Sequence, residues 1–251
     1  MKCDLTKGSD GVAFKTNFRR REIKFLITEA EAKEILLFMS DKIVPDAYGK
    51  STVKSLYFDT PSFRLIRRSL EKPIYKEKFR LRCYGDFNDK TKVFAEIKKK
   101  YKSVVYKRRI VLNEAEMLSF LQNGPPDGND PTEKEISFFF KRYENLKPTM
   151  LISCEREAYF AKADDGLRFT FDRNIIYRDH DLSLQSERYG TPVMNEGQVL
   201  MEVKAEGALP LWVCRMLSER KMYKQSFSKY GRAYIDTLLK AKIAVQTVKG
   251  E

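Results

Sequence analysis

The stretch Lys76-Glu77-Lys78-Phe79-Arg80-Leu81-Arg82 alternates charged and apolar side chains. Because a β-strand turns successive side chains to opposite faces, its basic residues would share one face, and Phe79 and Leu81 the other. The same period occurs in Glu96-Ile97-Lys98 and in Glu202-Val203-Lys204. If these strands form one sheet whose apolar face is covered by helices, the charged faces converge on a basic surface or lumen containing a few carboxylates. Such a site suits a polyanion and a metal ion.

The composition narrows the classes of binding partner and the cellular compartment. A net charge of +13 over 251 residues predicts attraction to nucleic acid, anionic membranes or polyphosphorylated small molecules. The four cysteines are widely spread without a Cys-x-x-Cys pair, which argues against a zinc site or a disulfide framework and favours a reducing cytoplasm. No apolar run approaches the ~20 residues of a membrane span, so we expect neither a signal peptide nor a transmembrane helix. Peripheral attachment to an acidic membrane stays open.

We read residues 1–17 as a flexible leader and 18–245 as a single catalytic domain. Helices are predicted where Thr28 with Glu31, Asn113 with Glu116, and Thr132 with Glu135 form capping boxes, and again over 209–220 and from about 232 to 244. The result is an antiparallel-rich α+β domain with enough strands to close an eight-stranded barrel. Strands are predicted over 18–27, 52–59, 75–84, 92–100, 103–112, 149–161, 166–176 and 198–205.

Many like charges facing inward cost several kcal/mol each, by order of magnitude, unless a ligand or carboxylates compensate them. An interior of this kind must therefore be wet and filled by ligand, whereas the alternative is a set of ordinary solvated strand faces. Arg and Lys suit phosphate oxygens, and Glu22, Glu96 and Glu202 can hold a hard cation such as Mg²⁺ or Mn²⁺. Phosphoryl transfer needs mostly these parts. The single histidine, His180, lies in a polar segment typical of the surface.

Seven segments follow one another over roughly residues 18–240. They are Arg20-Arg21-Glu22-Ile23-Lys24-Phe25, Ser55-Leu56-Tyr57-Phe58-Asp59-Thr60, Arg80-Leu81-Arg82-Cys83-Tyr84-Gly85, Glu96-Ile97-Lys98-Lys99-Lys100, Leu167-Arg168-Phe169-Thr170-Phe171-Asp172, Met201-Glu202-Val203-Lys204 and Ser226-Phe227-Ser228-Lys229-Tyr230-Gly231. Taken in this order, they resemble the VTC-type polyphosphate polymerase domain of the triphosphate tunnel metalloenzyme superfamily. The first strand carries Arg20 where the wider superfamily often has a Glu, which fits the polymerase branch better than the hydrolase branch.

The resemblance implies an eight-stranded antiparallel tunnel with flanking helices, in which the γ-phosphate of ATP passes to a growing polyphosphate chain. It implies that Glu202 holds Mn²⁺ or Mg²⁺, and that Arg109 and Ser228 contribute to substrate binding. From the charged strand faces we add Glu22 and Glu96 to the predicted substrate-binding residues. Membrane-associated partner proteins are expected, and the sequence gives no oligomeric state. The implied catalytic side chains are Lys24, Arg80, Arg82, Lys98, Arg156, Arg168, Lys204 and Lys229.

Other functions stay open at this point. A tripolyphosphatase of the same superfamily would use a water in place of the phosphate acceptor. A basic tunnel can also bind polyphosphate or inositol phosphates without turnover. Nucleic-acid binding ranks low, because Phe79, Tyr101 and Phe169 alternate toward the face opposite the basic residues.

Overall fold

The computed structural model describes the backbone of residues 5–7, 13–15, 17–102 and 104–249. The helices are α1 (Glu29–Met39), α2 (Arg64–Leu70), α3 (Glu114–Asn123), α4 (Pro131–Arg142), α5 (Leu211–Glu219) and α6 (Lys229–Lys249). The strands are β1 (Leu5–Lys7), β2 (Ala13–Lys15), β3 (Asn17–Thr28), β4 (Ile43–Asp59), β5 (Tyr75–Tyr84), β6 (Val93–Tyr101), β7 (Val104–Leu112), β8 (Lys147–Ala161), β9 (Asp164–Arg178), β10 (Thr191–Pro192) and β11 (Gln198–Ala205).

Eight long antiparallel strands form the tunnel. Their order is β9-β11-β3-β7-β6-β5-β4-β8, and a further pairing of β8 with β9 joins the two ends of this series. Each of the eight strands is therefore hydrogen-bonded to two neighbours. Strand β10 pairs with β9, and β1 pairs with β2 separately. The α+β fold with an eight-stranded antiparallel tunnel and flanking helices is confirmed.

The outward faces of the strands carry the apolar core, as the alternation predicts. Phe79 and Leu81 of β5 are fully buried in a cluster with Phe120 of α3 and Phe139 of α4. A second cluster packs α1 and α5 against β3, β9 and β11. Burying one such side chain stabilises the fold by about 1.5–3 kcal/mol, so the helices fix the outside of the tunnel wall and leave the alternate residues facing inward.

The inward faces divide into an apolar half and a charged half. In the apolar half, Met150, Ile152 and Leu200 pack against Tyr230 and Phe227, which lie at and just before the start of α6. The charged half begins further along the same strands, at Glu202 of β11 and at Arg156 of β8. The prediction of a wet, ligand-filled interior therefore concerns the charged half, whereas apolar side chains pack against α2 and α6 at the other end. Inward apolar residues at that end give the helices a surface to bury.

Several boundaries differ from the sequence predictions. Helix α4 is capped by Asp130, whose carboxylate accepts from the N–H groups of Thr132 and Glu133, so the predicted Thr132 capping box is wrong. Pro131 at the first helical position explains the earlier start. Strand β4 begins nine residues earlier than predicted, and the short helix α2 and strand β10 were not predicted. The Thr28 and Asn113 capping boxes are confirmed.

The predicted leader, 1–17, falls largely outside the described residues, apart from β1, β2 and the first residue of β3. Its boundary with the catalytic domain at residue 18 stays a prediction. Within the described part of the chain, no helix has the length and apolar content needed to cross a bilayer.

Asp59 ties β4 to α2 and α6. Its fully buried carboxylate accepts hydrogen bonds from the backbone N–H groups of Thr60, Leu65 and Ile66 and from the hydroxyl of Tyr230. These bonds satisfy donors at the start of α2 that the helix itself leaves without partners. One acidic side chain thus holds both helices of the apolar half against the sheet.

Replacing Asp59 by Ala should lower the free energy of unfolding by about 3 kcal/mol, because several buried donors lose their acceptor at once. Urea denaturation followed by circular dichroism measures the change. Asp89→Ala, at an exposed position between β5 and β6, is the matched control and should stay within about 0.5 kcal/mol of the wild type. Equal midpoints for both variants would contradict this role of Asp59.

Candidate functional site

The charged half of the tunnel contains a cavity of about 510 Å³. The charged side chains that line it include two glutamates, Glu22 and Glu202, which are far outnumbered by basic residues. The wall is therefore strongly cationic, as the convergence of charged strand faces predicts. The lining cations are Lys24, Lys72, Lys76, Lys78, Arg80, Arg82, Lys98, Lys100, Lys107, Arg156, Arg168, Lys204, Lys229 and Arg232.

Glu202 stands at the centre of a cage of three lysines. Its Oε1 lies 3.4 Å from Nζ of Lys24 and 3.2 Å from Nζ of Lys229, and its Oε2 lies 2.8 Å from Nζ of Lys204. Strand register explains part of the cage, since Glu202 of β11 stands directly opposite Lys24 of β3. Lys204 also donates to Oγ1 of Thr170 at 3.0 Å. A single carboxylate thus holds three ammonium groups within reach of one point in the cavity.

Asp172 forms the second anionic anchor, directly behind the lining. Its carboxylate accepts two parallel bonds of 2.6 Å from Arg156 and lies 2.5 Å from Nζ of Lys229. Lys229 therefore bridges Asp172 and Glu202. The fork-to-fork geometry fixes the plane of the Arg156 guanidinium. Asp172 ends one of the segments that carry the family resemblance, but sequence reasoning did not name it as a site residue.

Glu96 anchors a third group of cations. It accepts from Arg80 at 2.8 Å and from Lys107 at 2.9 Å, and its side chain is only 1% exposed. Arg80 also donates to the hydroxyl of Tyr57 at 3.0 Å. Glu96 is thus enclosed by its partners and positions them, instead of lining the cavity as a ligand for substrate or metal. Nearby, Glu22 pairs with Lys98 at 2.7 Å.

The segment before α6 enters the tunnel and closes one wall of the cavity. The carbonyl of Phe227 accepts from Lys24 at 2.8 Å, and the hydroxyl of Ser228 accepts from Lys78 at 2.9 Å. Gly231 lets this segment approach α2, because a Cβ there would lie 3.0 Å from Cδ2 of Leu70. The helix thereby contributes backbone and hydroxyl groups to a wall that is otherwise made by strands.

Burial and mutual repulsion shift the pKa values of the lining groups. Burial, opposed by Glu202, lowers the pKa of Lys204 to about 7, and burial, opposed by Glu96, lowers the pKa of Lys107 to about 7. Burial also holds the pKa of Lys78 well below its usual value. For Glu202 burial acts in the opposite direction, but the neighbouring lysines outweigh it and keep its pKa well below the normal range. The cavity therefore stabilises added negative charge.

The structure brings almost all of the predicted site residues together. Arg109 lines a smaller adjoining cavity with Arg156 and Arg168, and Glu96 is enclosed as described above. Lys78 and Lys107, which belong to the period-2 pattern of charged strand faces but not to the residues that the family resemblance implies, also line the cavity. The predicted residues that line the main cavity are Glu22, Lys24, Arg80, Arg82, Lys98, Arg156, Arg168, Glu202, Lys204, Ser228 and Lys229.

A divalent cation would find two carboxylates in the lining of this cavity, Glu202 among its three lysines and Glu22 beside Lys98, whereas Asp172 lies behind the lining. Among the described residues, no group of three or more His, Cys, Asp or Glu side chains is gathered for a metal. Mg²⁺ is commonly bound through one or two carboxylates together with substrate phosphates, and not by a cage made only of protein. The donor set therefore fits a cation that arrives with phosphate oxygens and takes Glu202 as its protein ligand.

Comparison with known proteins gives a family match over most of the chain. The model of the VTC domain family matches residues 19–237. Vacuolar transporter chaperone complex subunit 4 of Trypanosoma cruzi (strain CL Brener) is 29% identical over 238 residues, covering 79% of this chain and 29% of that protein. The subunit of the same name from Trypanosoma brucei brucei is 25% identical over 225 residues, covering 74% and 28%. The chain spans less than a third of the length of these curated relatives.

A solved structure supports the fold. The crystal structure of a Bacillus halodurans protein, described as a candidate adenylate cyclase, matches with a TM-score of 0.55. The match covers 85% of this chain and 95% of that protein at 12% sequence identity. At this identity the likeness shows the shared fold alone.

Tripolyphosphate binding should weaken as the pH rises from about 7 to 9, because Lys107 and Lys204 lose their charge over this range. A bound polyanion favours the protonated amines, so binding at pH 8 should take up protons. Calorimetry in buffers of different ionisation enthalpy measures this uptake.

Lys204→Met should reduce the uptake by up to about one proton. Lys162→Met, at an exposed position beyond β8, should leave it unchanged. The same proton uptake in Lys204→Met and the wild type would contradict the assignment of a titrating Lys204.

Proposed function

This chain belongs to the VTC domain family, and from that premise we propose that it is a metal-dependent polyphosphate polymerase. It transfers the γ-phosphate of ATP to a growing chain of inorganic polyphosphate inside the tunnel. The observation that carries the proposal is the cavity itself, in which lining lysines and arginines far outnumber the glutamates and three lysines converge on Glu202. A string of phosphates supplies the many negative charges that such a wall lacks.

The described side chains can neutralise a triphosphate without large rearrangement. Lys24, Lys204 and Lys229 already converge on the oxygens of Glu202, so a phosphoryl group placed beside that carboxylate meets three ammonium groups. Arg80 and Arg156 are held by Glu96 and Asp172, and both arginines line the cavity. Positioned cations in a site shielded from water stabilise the charge that develops in phosphoryl transfer.

The chemistry of the acceptor suits this site. The terminal phosphate of a polyphosphate chain is already an oxyanion, so its oxygen can attack the γ-phosphorus without a general base. The bond from the γ-phosphorus to the bridging oxygen breaks, and ADP leaves with the electron pair. Glu202 and Asp172 are paired with cations and their pKa values are held low, which makes them weak bases. The residues present therefore serve transfer to phosphate better than activation of water.

Mn²⁺ or Mg²⁺ bound with the phosphates would shield their charge, and Glu202 would be its protein ligand. Lys98, Arg82 and Arg168 would bind phosphates along the wall, with Arg109 and Ser228 as further substrate contacts. Glu96 would act indirectly, by positioning Arg80 and Lys107.

A tripolyphosphatase is the second candidate, because the same three lysines around Glu202 would hold a triphosphate for attack by water. A binding module for polyphosphate or inositol phosphates would use the same wall without turnover. Nucleic acid is not among the proposed partners: Phe79 and Phe169 are buried in the outer core, and although Tyr101 is exposed, the basic residues line the tunnel cavity.

The cellular setting is also a proposal. The relatives in the two trypanosomes are named as subunits of a vacuolar transporter chaperone complex. By analogy we expect this chain to act on the cytoplasmic side of a membrane, with membrane-associated partner proteins.

Purified protein incubated with ATP and Mn²⁺ should form long acid-labile phosphate polymers, which gel electrophoresis resolves. Glu202→Gln should reduce the rate by roughly a hundredfold or more, because the neutral amide neither binds the cation nor holds the three lysines in place. Glu219→Gln, at an exposed position on α5, removes the same charge away from the cavity and should retain the wild-type rate.

The products separate the candidate functions. Release of orthophosphate alone would replace the polymerase with a tripolyphosphatase. Tight polyphosphate binding that needs no metal, with no product from any nucleotide, would favour the binding module.

A further inference from the structure

A smaller cavity of about 180 Å³ continues the main cavity at one end of the tunnel. The two cavities share Tyr84, Arg156 and Arg168 in their linings, and the smaller one adds Arg109. The basic wall therefore extends beyond the space around Glu202. A phosphate chain that outgrows the main cavity meets this end next.

An irregular segment of β4 lies over this end. The pairing of β4 with β8 shifts between Pro45, opposite Tyr159, and Lys50, opposite Glu157. The four residues 46–49 therefore stand opposite a single residue of β8, and the segment bulges from the wall. Its first residue, Asp46, and its third, Tyr48, both line the smaller cavity.

The bulge places a carboxylate against a phosphate-binding candidate. Oδ2 of Asp46 accepts a bond of 2.6 Å from Arg168, and the side chain of Asp46 is only 7% exposed. The backbone N–H of Tyr48 donates to the other oxygen, Oδ1, at 3.0 Å, which fixes the carboxylate within the bulge. An anion supplied by the protein thus occupies the place where an oxygen of a phosphoryl group would meet Arg168.

Arg168 is only partly satisfied by this partner. Its Nε is buried, and no acceptor for it exists among the described residues. A guanidinium offers a fork of donors that matches two oxygens of one phosphate, whereas Asp46 engages one nitrogen of the fork. A phosphoryl group that takes the place of Asp46 could therefore also accept a hydrogen bond from Nε of Arg168.

We propose that Asp46 is a specificity-determining residue for the length of the phosphate chain. A short chain held beside Glu202 by Lys24, Lys204 and Lys229 leaves the Asp46–Arg168 pair intact. A longer chain must displace the carboxylate from Arg168 and pass a negative charge at the same point. The resting protein thus favours short chains over long ones at this end of the tunnel. This inference rests on the proposed function, because it assumes that the tunnel binds polyphosphate.

The test compares the dissociation constants of pyrophosphate and of a long-chain inorganic polyphosphate, measured by calorimetry at one ionic strength without ATP. Asp46→Asn should tighten binding of the long chain by about tenfold or more and change pyrophosphate binding by less than about twofold. Asp41→Asn removes the same charge from an exposed position just before β4 and should change neither constant. Asp46→Glu keeps a carboxylate and should retain the wild-type ratio of the two constants.

Thermal melting of each variant verifies that it is folded. Two results would overturn the role of Asp46. The first is an equal effect of Asp46→Asn on the binding of both ligands. The second is the same ratio of the two dissociation constants in Asp46→Glu as in Asp46→Asn. If polymer synthesis from ATP proceeds while the ratio is unaffected, this inference fails and the proposed function stands. If the wild-type protein binds neither phosphate ligand, the proposed function and this inference fail together.

Discussion

Repulsion among cations confined in one tunnel is the constraint on which the rest of the structure depends. Uncompensated buried charges cost several kcal/mol each, by order of magnitude, so the wall must carry its own counter-charges when no ligand is bound. Glu202, Asp172 and Glu96 supply them, each shared among two or three Lys or Arg side chains. The cations greatly outnumber the anions, but the shared carboxylates hold them together in the wall. They are therefore already positioned for a phosphate chain.

The remainder of the fold holds these charges in place. Helices on the outside of the tunnel bury the apolar side chains, which occupy every second position of the strands. The side chains between them therefore face inward. At one end of the tunnel, α2 and α6 pack on inward apolar residues and are fixed to β4 through Asp59 and Tyr230. That packing confines water and ligand to the charged half. The same α6 segment brings Ser228 and Lys229 to the cavity wall, so stability and substrate binding share one element.

Features set by neighbours along the chain could be predicted, and features set by distant contacts could not. Period-2 alternation located the long strands and put Arg80 and Glu202 on inward faces, and two capping boxes located α1 and α3. Asp172 looks like the end of an apolar strand, and only the pairing of β8 with β9 brings it to Arg156. The position of Asp46 beside Arg168 depends on a bulge of β4 that forms against β8. The short helix α2 depends on a buried carboxylate and on α6, neither of which leaves a local signal.

The most direct measurement is a crystal structure of the protein with tripolyphosphate and Mn²⁺. The account predicts phosphates inside the tunnel, in contact with Arg80, Lys204 and Lys229, with the metal bound to Glu202 and to phosphate oxygens. Phosphate and metal found only on the outer surface, with the lysine cage around Glu202 unchanged, would contradict it.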